Sequence, residues 1–174
     1  MPQDLRQAVG FLIGFWIALV VFGPLAAPRA WGAPATEADP ALGALAGQLH
    51  DAVNRYRAEN RLIPLARRPD LDAVALAHSR DMARRRYLAH ESPEGASWVD
   101  RLASARVEGF ALAAENVGMT SRPDPNAEIL RGWVLSRIHR DNLLSRPFNA
   151  TGIGVARAAD GTLYYTQLYL TFPR

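Results

Sequence analysis

The chain has 174 residues, 49% hydrophobic and 21% charged, enough for one domain with a core of its own. It contains no cysteine, which excludes disulfides, thiolate zinc sites, iron–sulfur clusters and a cysteine nucleophile. Every basic residue is arginine, and 20 of them against 17 acids leave a formal net charge of +3, too small a surplus to indicate a nucleic-acid partner.

At the N-terminus, Arg6 precedes an apolar stretch from Phe11 to Phe22, which Gly23-Pro24 interrupts before small residues run on to Ala33. Positive, apolar and small-residue regions in that order are expected of a secretory signal, with Ala30-Trp31-Gly32 as a candidate cleavage site. The apolar run is shorter than the roughly 20 residues of a spanning helix. The cleavage site is not a clean Ala-x-Ala, so residues 1–33 fit a removed signal peptide or an uncleaved N-terminal anchor. An uncleaved anchor would be the expected route to a membrane. Either way the domain is expected outside the cytoplasm, secreted or in the cell envelope. Residues 34–41 are rich in Pro and Ala without periodicity and read as a linker, which places the domain at 42–174.

Leu45, Leu49, Val53 and Tyr56 recur at spacings of three and four, which predicts a first helix that Asn60 to Pro64 ends. His50 lies off that stripe and has no predicted role. A second helix begins at Pro69-Asp70, with Asp70 and Asp72 in its favourable first turn. Its buried face comprises Leu71, Val74, Ala75, His78 and Met82, so His78 is expected to be a hydrogen-bonded core residue. The basic run Arg84-Arg85-Arg86 falls where that helix should end, and cations there complement the helix dipole. A turn-rich loop, Glu91 to Gly95, leads to a short helix around Trp98 to Leu102, and Phe110 to Val117 reads as extended. Asp124-Pro125 starts a helix carrying Ile129, Leu130 and Trp133, because Asp caps and Pro suits the first helical position. Gly152 to Arg157 and Thr162 to Leu170 form a hairpin about Asp160-Gly161. Helices first and strands last predict an α+β fold.

Three polar residues stand at the edges of irregular segments: His90, Glu115 and His139. Two imidazoles and a carboxylate suit a divalent metal such as Zn²⁺ with one position open, and they equally suit acid–base chemistry. No local pattern such as HExxH ties the three together.

Longer segments carry a resemblance. They are Asn54-Arg55-Tyr56-Arg57 with Pro64-Leu65, Ala77 to Ala83, and His90 with Ser92-Pro93-Glu94-Gly95. Glu115-Asn116-Val117, Trp133 to Leu144, Gly152 to Val155 and Tyr165-Thr166-Gln167 follow. Together they resemble the CAP superfamily, or SCP domain, of cysteine-rich secretory proteins, antigen 5 and plant pathogenesis-related proteins. The match is to its cysteine-free bacterial branch and runs from about Leu45 to Phe172. The resemblance implies a three-layer α-β-α sandwich with a central antiparallel sheet and a surface cleft. Many members line that cleft with two histidines and two acids, and some bind a divalent metal there.

Matched residue by residue, the histidines are His90 and His139 and one acid is Glu115, which implies these three as metal ligands. The second acid belongs three residues after the tryptophan, where Ser136 stands. Glu128 is no substitute on a continuous helix, since it would lie about 140° from Trp133, against about 60° for Ser136. Arg137-Ile138 replaces the Pro-Gly turn common in this branch. The implied ligand-binding cleft therefore comprises His90, Glu115, Asn116, Ser136 and His139.

The resemblance favours a binding module whose cleft holds a divalent metal, a lipid or a peptide, with a small molecule, lipid or protein outside the cell as partner. A hydrolase competes, either metal-assisted or using Ser92 or Ser136 with a histidine base and Glu115 as orienter. Neither serine lies in a Gly-x-Ser-x-Gly pattern. A structural role in the envelope is the third alternative, because a fold does not dictate a function.

Overall fold

The computed structural model describes residues 39–173, so the expected signal or anchor segment lies outside the described residues. Helix α1 spans Pro40–Glu59, two residues ahead of the expected domain start, with the Asp39 side chain accepting from the Ala41 amide. It buries Ala46, Leu49, Val53 and, at its C-terminal end, Arg57. His50, one turn before Asn54, reaches the Leu65 carbonyl at 3.0 Å, and Asn54 brackets the same residue by bonding both its amide and its carbonyl. These contacts fix the chain where it enters the two-residue strand β1, Ala66–Arg67.

Helix α2, Pro69–Arg85, buries the predicted face of Leu71, Val74, Ala75, His78 and Met82. Arg86 ends it in the left-handed region at φ 57°. Within the basic run Arg84 pairs with Asp81, and Arg85 grips both oxygens of Glu94 at 2.7 and 2.8 Å. A capping box between Ser97 and Asp100 starts α3, Trp98–Ser104. Strand β2 is Leu112–Thr120. The Asp124 side chain caps α4, Pro125–Leu135, as its sequence predicts.

The chain then departs from expectation. Ser136 has φ −81° and ψ 120°, an extended conformation that ends α4 and starts a separate helix α5, Arg137–Leu143. A continuous helical wheel therefore does not place Ser136 relative to Trp133. Strands β3, Ala150–Arg157, and β4, Leu163–Thr171, form the predicted hairpin, with Gly161 at φ +87° in its turn.

The sheet order is β1-β3-β4-β2; β1 runs parallel to β3 and the other two pairings are antiparallel. Because strand side chains alternate, each strand divides its residues between two helical layers. Ile153, Val155, Tyr165 and Tyr169 pack with Leu49, Val53, Ile129, Trp133 and Leu143 of α1, α4 and α5. Ala150, Leu168 and Leu170 pack with Leu71, Val74 and Leu102 of α2 and α3. The result is the three-layer α-β-α sandwich. At Gly152 and Gly154 the α2 backbone lies where a Cβ would sit, so these glycines let helix and sheet approach closely.

Candidate functional site

The site forms where the two helical layers meet at the edge of the sheet. Among the described residues strand β2 pairs with β4 on one side only, and its register sets Glu115 beside Leu168 and Asn116 beside Gln167. Neighbours on a strand point to opposite faces, so Glu115 faces α2 and α3 while Asn116 faces α5. Each residue holds one histidine.

Glu115 is buried and its carboxylate is engaged at both oxygens. His90 Nδ1 lies 3.0 Å from Oε1, and Arg101 Nη2 donates to Oε2 at 2.7 Å. The carboxylate accepts, so Nδ1 of His90 carries the hydrogen of this bond and Nε2 is the ring nitrogen left outside it. His90 comes from the irregular segment after α2. Arg101, on α3, also donates to the carbonyls of His90 and Ala96. His78 holds the preceding residue, its Nε2 donating to the Ala89 carbonyl at 2.9 Å. This is the core role predicted for it. Burial, and next the charge of Arg101, keep the His78 pKa below the usual histidine value.

On the other face, Asn116 Nδ2 donates to the His139 carbonyl and to the Tyr169 hydroxyl, both at 3.1 Å. The Tyr169 hydroxyl donates in turn to Gln167 at 2.7 Å, and Gln167 donates to Thr151. Asn142 Nδ2 donates to Asn116 Oδ1 and to the outward Glu115 carbonyl, while Trp133 Nε1 donates to the Val117 carbonyl. Side chains of α4 and α5 thereby satisfy the exposed edge of β2, and α5 is fixed with His139 beside that edge. The rings of His90 and His139 stand 6.3 Å apart between centroids, inclined at 54°. Partial burial, and then the nearby His90, lower the His139 pKa, which favours a neutral imidazole.

Ser92 Oγ accepts from the Ala96 amide at 3.2 Å and staples its own loop. Ser136 is half-buried at the α4–α5 junction, and neither serine hydrogen-bonds a histidine among the described residues. Glu128 is exposed on α4.

The donor set fits a divalent cation in part. His90 and His139 can each offer an imidazole nitrogen. Glu115, implied as a third ligand, instead has both oxygens committed to His90 and Arg101, the position of an orienting group behind a ligating histidine. Among the described residues no three His, Asp or Glu side chains are grouped to hold a metal ion. The residue missed by sequence reasoning is Arg101. It lies 14 positions from Glu115, and its only local sign is a basic residue on a short capped helix.

A family model, CAP, the cysteine-rich secretory protein family, matches residues 50–169. The uncharacterized membrane protein YlbC of Bacillus subtilis strain 168 is 33% identical over 123 residues, 71% of this chain and 33% of YlbC. YkwD of the same strain is 29% identical over 132 residues, 76% of this chain and 49% of its own length. The chain thus spans between a third and a half of the curated relatives it matches. Among solved structures, an extracellular SCP-domain protein of Bacillus anthracis strain Ames is 33% identical with a TM-score of 0.64, covering 74% of this chain and 41% of that one. An outer surface protein of Borrelia burgdorferi gives a TM-score of 0.68 at 16% identity, covering 75% of this chain and 94% of that one, a likeness of fold alone.

Proposed function

Because the chain belongs to the CAP family of cysteine-rich secretory proteins, we propose that it is a binding module working outside the cytoplasm, with its ligand held between His90 and His139. The observation that carries this reading is the imidazole pair, 6.3 Å apart, with the His90 ring already oriented by a buried carboxylate. Its first occupant would be a divalent cation such as Zn²⁺. Two imidazoles leave coordination positions for a further ligand, and such a bound cation would supply Lewis acidity there. Leu135 and Ile138, 70% and 67% exposed and close to His139 in sequence, offer apolar surface to a lipid or peptide. An extracytoplasmic location is supported by the expected signal segment and by the extracellular Bacillus anthracis relative.

A serine hydrolase is the less favoured reading, since neither Ser92 nor Ser136 is bonded to a histidine among the described residues. Calorimetry with Zn²⁺ tests the proposal. Modest affinity is expected in the wild type, weakening toward acid pH as protons compete with the cation for the imidazole nitrogens. His90→Ala and His139→Ala should each abolish binding while remaining folded. Equal binding by wild type and either variant would end the metal reading. Peptide or ester turnover that depends on His90 would put an enzyme in its place.

A further inference from the structure

We infer that Arg101 is the positioning residue for His90, gripping that histidine at its ring and at its backbone together. The inference deepens the binding proposal and rests on it wherever metal is the probe.

The geometry is specific to a guanidinium. Nη2 donates to Glu115 Oε2 at 2.7 Å, and Glu115 Oε1 accepts from His90 Nδ1 at 3.0 Å, so the ring is held through one intervening carboxylate. Nη1 and Nη2 both donate to the His90 carbonyl at 3.1 Å, so the same group also fixes the backbone that carries the ring. Nη1 reaches the Ala96 carbonyl as well, at 3.0 Å, which closes the loop between the end of α2 and α3. One planar fork thus ties helix α3, the irregular segment and edge strand β2. A lysine, a single point charge, cannot span those acceptors.

Two further facts favour positioning over a simple charge pair. The His90 side chain is 45% exposed, so little packing restrains its rotamer, and the restraint must come from hydrogen bonds. Arg101 Nε is a buried nitrogen with no partner among the described residues, whereas both terminal nitrogens are fully engaged. The guanidinium sits where His90 and Glu115 need it, at the expense of its own hydrogen bonding. The anchor beneath it is firm, because the capping box and buried Leu102 fix α3.

Arg101→Lys is the test, with Zn²⁺ calorimetry as one arm and histidine-ring nitrogen NMR of the metal-free protein as the other. The His90 ring signal is assigned by its loss in His90→Ala. In the wild type its Nδ1 hydrogen, bonded to Glu115, should be seen and should exchange slowly. Arg101→Lys should keep a cooperative melt, lose about 10- to 100-fold in Zn²⁺ affinity, as outer-shell partners typically do, and lose the slow His90 signal. Zn²⁺ affinity within about threefold of wild type together with an unchanged ring signal would overturn the inference. Should Arg101→Lys fail to fold, Arg101→Gln/Glu115→Gln is read against Glu115→Gln alone: a further loss of Zn²⁺ affinity or of the His90 ring signal in the double variant is expected, and no further loss of either would overturn the inference. A wild type that binds no Zn²⁺ defeats the binding proposal alone, and the ring signal still decides the role of Arg101.

Discussion

His90 Nδ1 donates to Glu115 Oε1 across 3.0 Å, joining a side chain that is 45% exposed to one that is 0% exposed. The pair connects the protein surface to the interior of the α2–α3 layer. Behind it lies Arg101, whose side chain is 14% exposed.

Removing the carboxylate should therefore act on the fold as well as on His90. Glu115→Ala leaves the Arg101 guanidinium facing an apolar methyl group with its charge uncompensated. Breaking a buried pair by taking one partner away typically costs about 3–5 kcal/mol, and a loss toward the lower end is predicted because Arg101 keeps some solvent. Urea unfolding measures it. A loss under about 1 kcal/mol would mean that water reaches Arg101 and replaces the carboxylate.

His78 predicts a pH dependence. Its folded pKa is lowered by burial, so the unfolded chain takes up the proton first as the pH falls. The stability this group contributes is fully present above the unfolded value of about 6.5 and is lost as the pH drops through the lower folded value. The lowered His139 acts in the same direction. His78→Gln, whose amide can still donate to the Ala89 carbonyl, should make the melting temperature fall less steeply over that acid range. A slope identical to wild type would show that His78 does not titrate there.

The glycines separate two kinds of position. A Cβ at Gly154 would meet the backbone of Ala75 and Leu76, which cannot move aside without shifting α2 from the sheet. Gly154→Ala should cost more than about 4 kcal/mol or prevent folding, as severe overpacking does. Gly132 lies inside α4, and a Cβ there would meet nothing within 4 Å, so Gly132→Ala should stabilise by about 0.5–1 kcal/mol. Thermal melts of the two variants should move in opposite directions, and movement in the same direction would refute the packing argument.

Arg57 offers a further test. It is 0% exposed, and among the described residues it bonds only to backbone oxygens, those of Ile63, Leu143, Ser145 and Phe148. It thereby pins the segment after α5 to α1. Arg57→Met keeps the bulk but leaves those carbonyls unpaired, and a loss of about 2–4 kcal/mol in urea unfolding is predicted. An unchanged midpoint would show that the carbonyls find water or other donors.

Much of the fold was legible along the chain because its signals act over a few residues. The stripe from Leu45 to Tyr56, the buried face from Leu71 to Met82, the Asp124-Pro125 start and the Asp160-Gly161 turn all became the elements they predict. His78 was placed in the core by helical spacing alone. The motif segments pointed to His90, Glu115 and His139, and the structure gathers them at one edge of the sheet.

What tertiary structure decided depends on distant parts of the chain. Sheet order makes β2 an edge strand, which allows histidines from opposite layers to approach each other. The break at Ser136 separates α4 from α5, and Trp133 and Asn142 on either side of it bond the β2 edge. Arg101 meets Glu115, and Arg57 meets Leu143, only after the layers have packed. Periodicity and capping describe a residue's neighbours within a turn or two, whereas a buried charge takes its role from partners that only the folded chain brings within hydrogen-bonding distance.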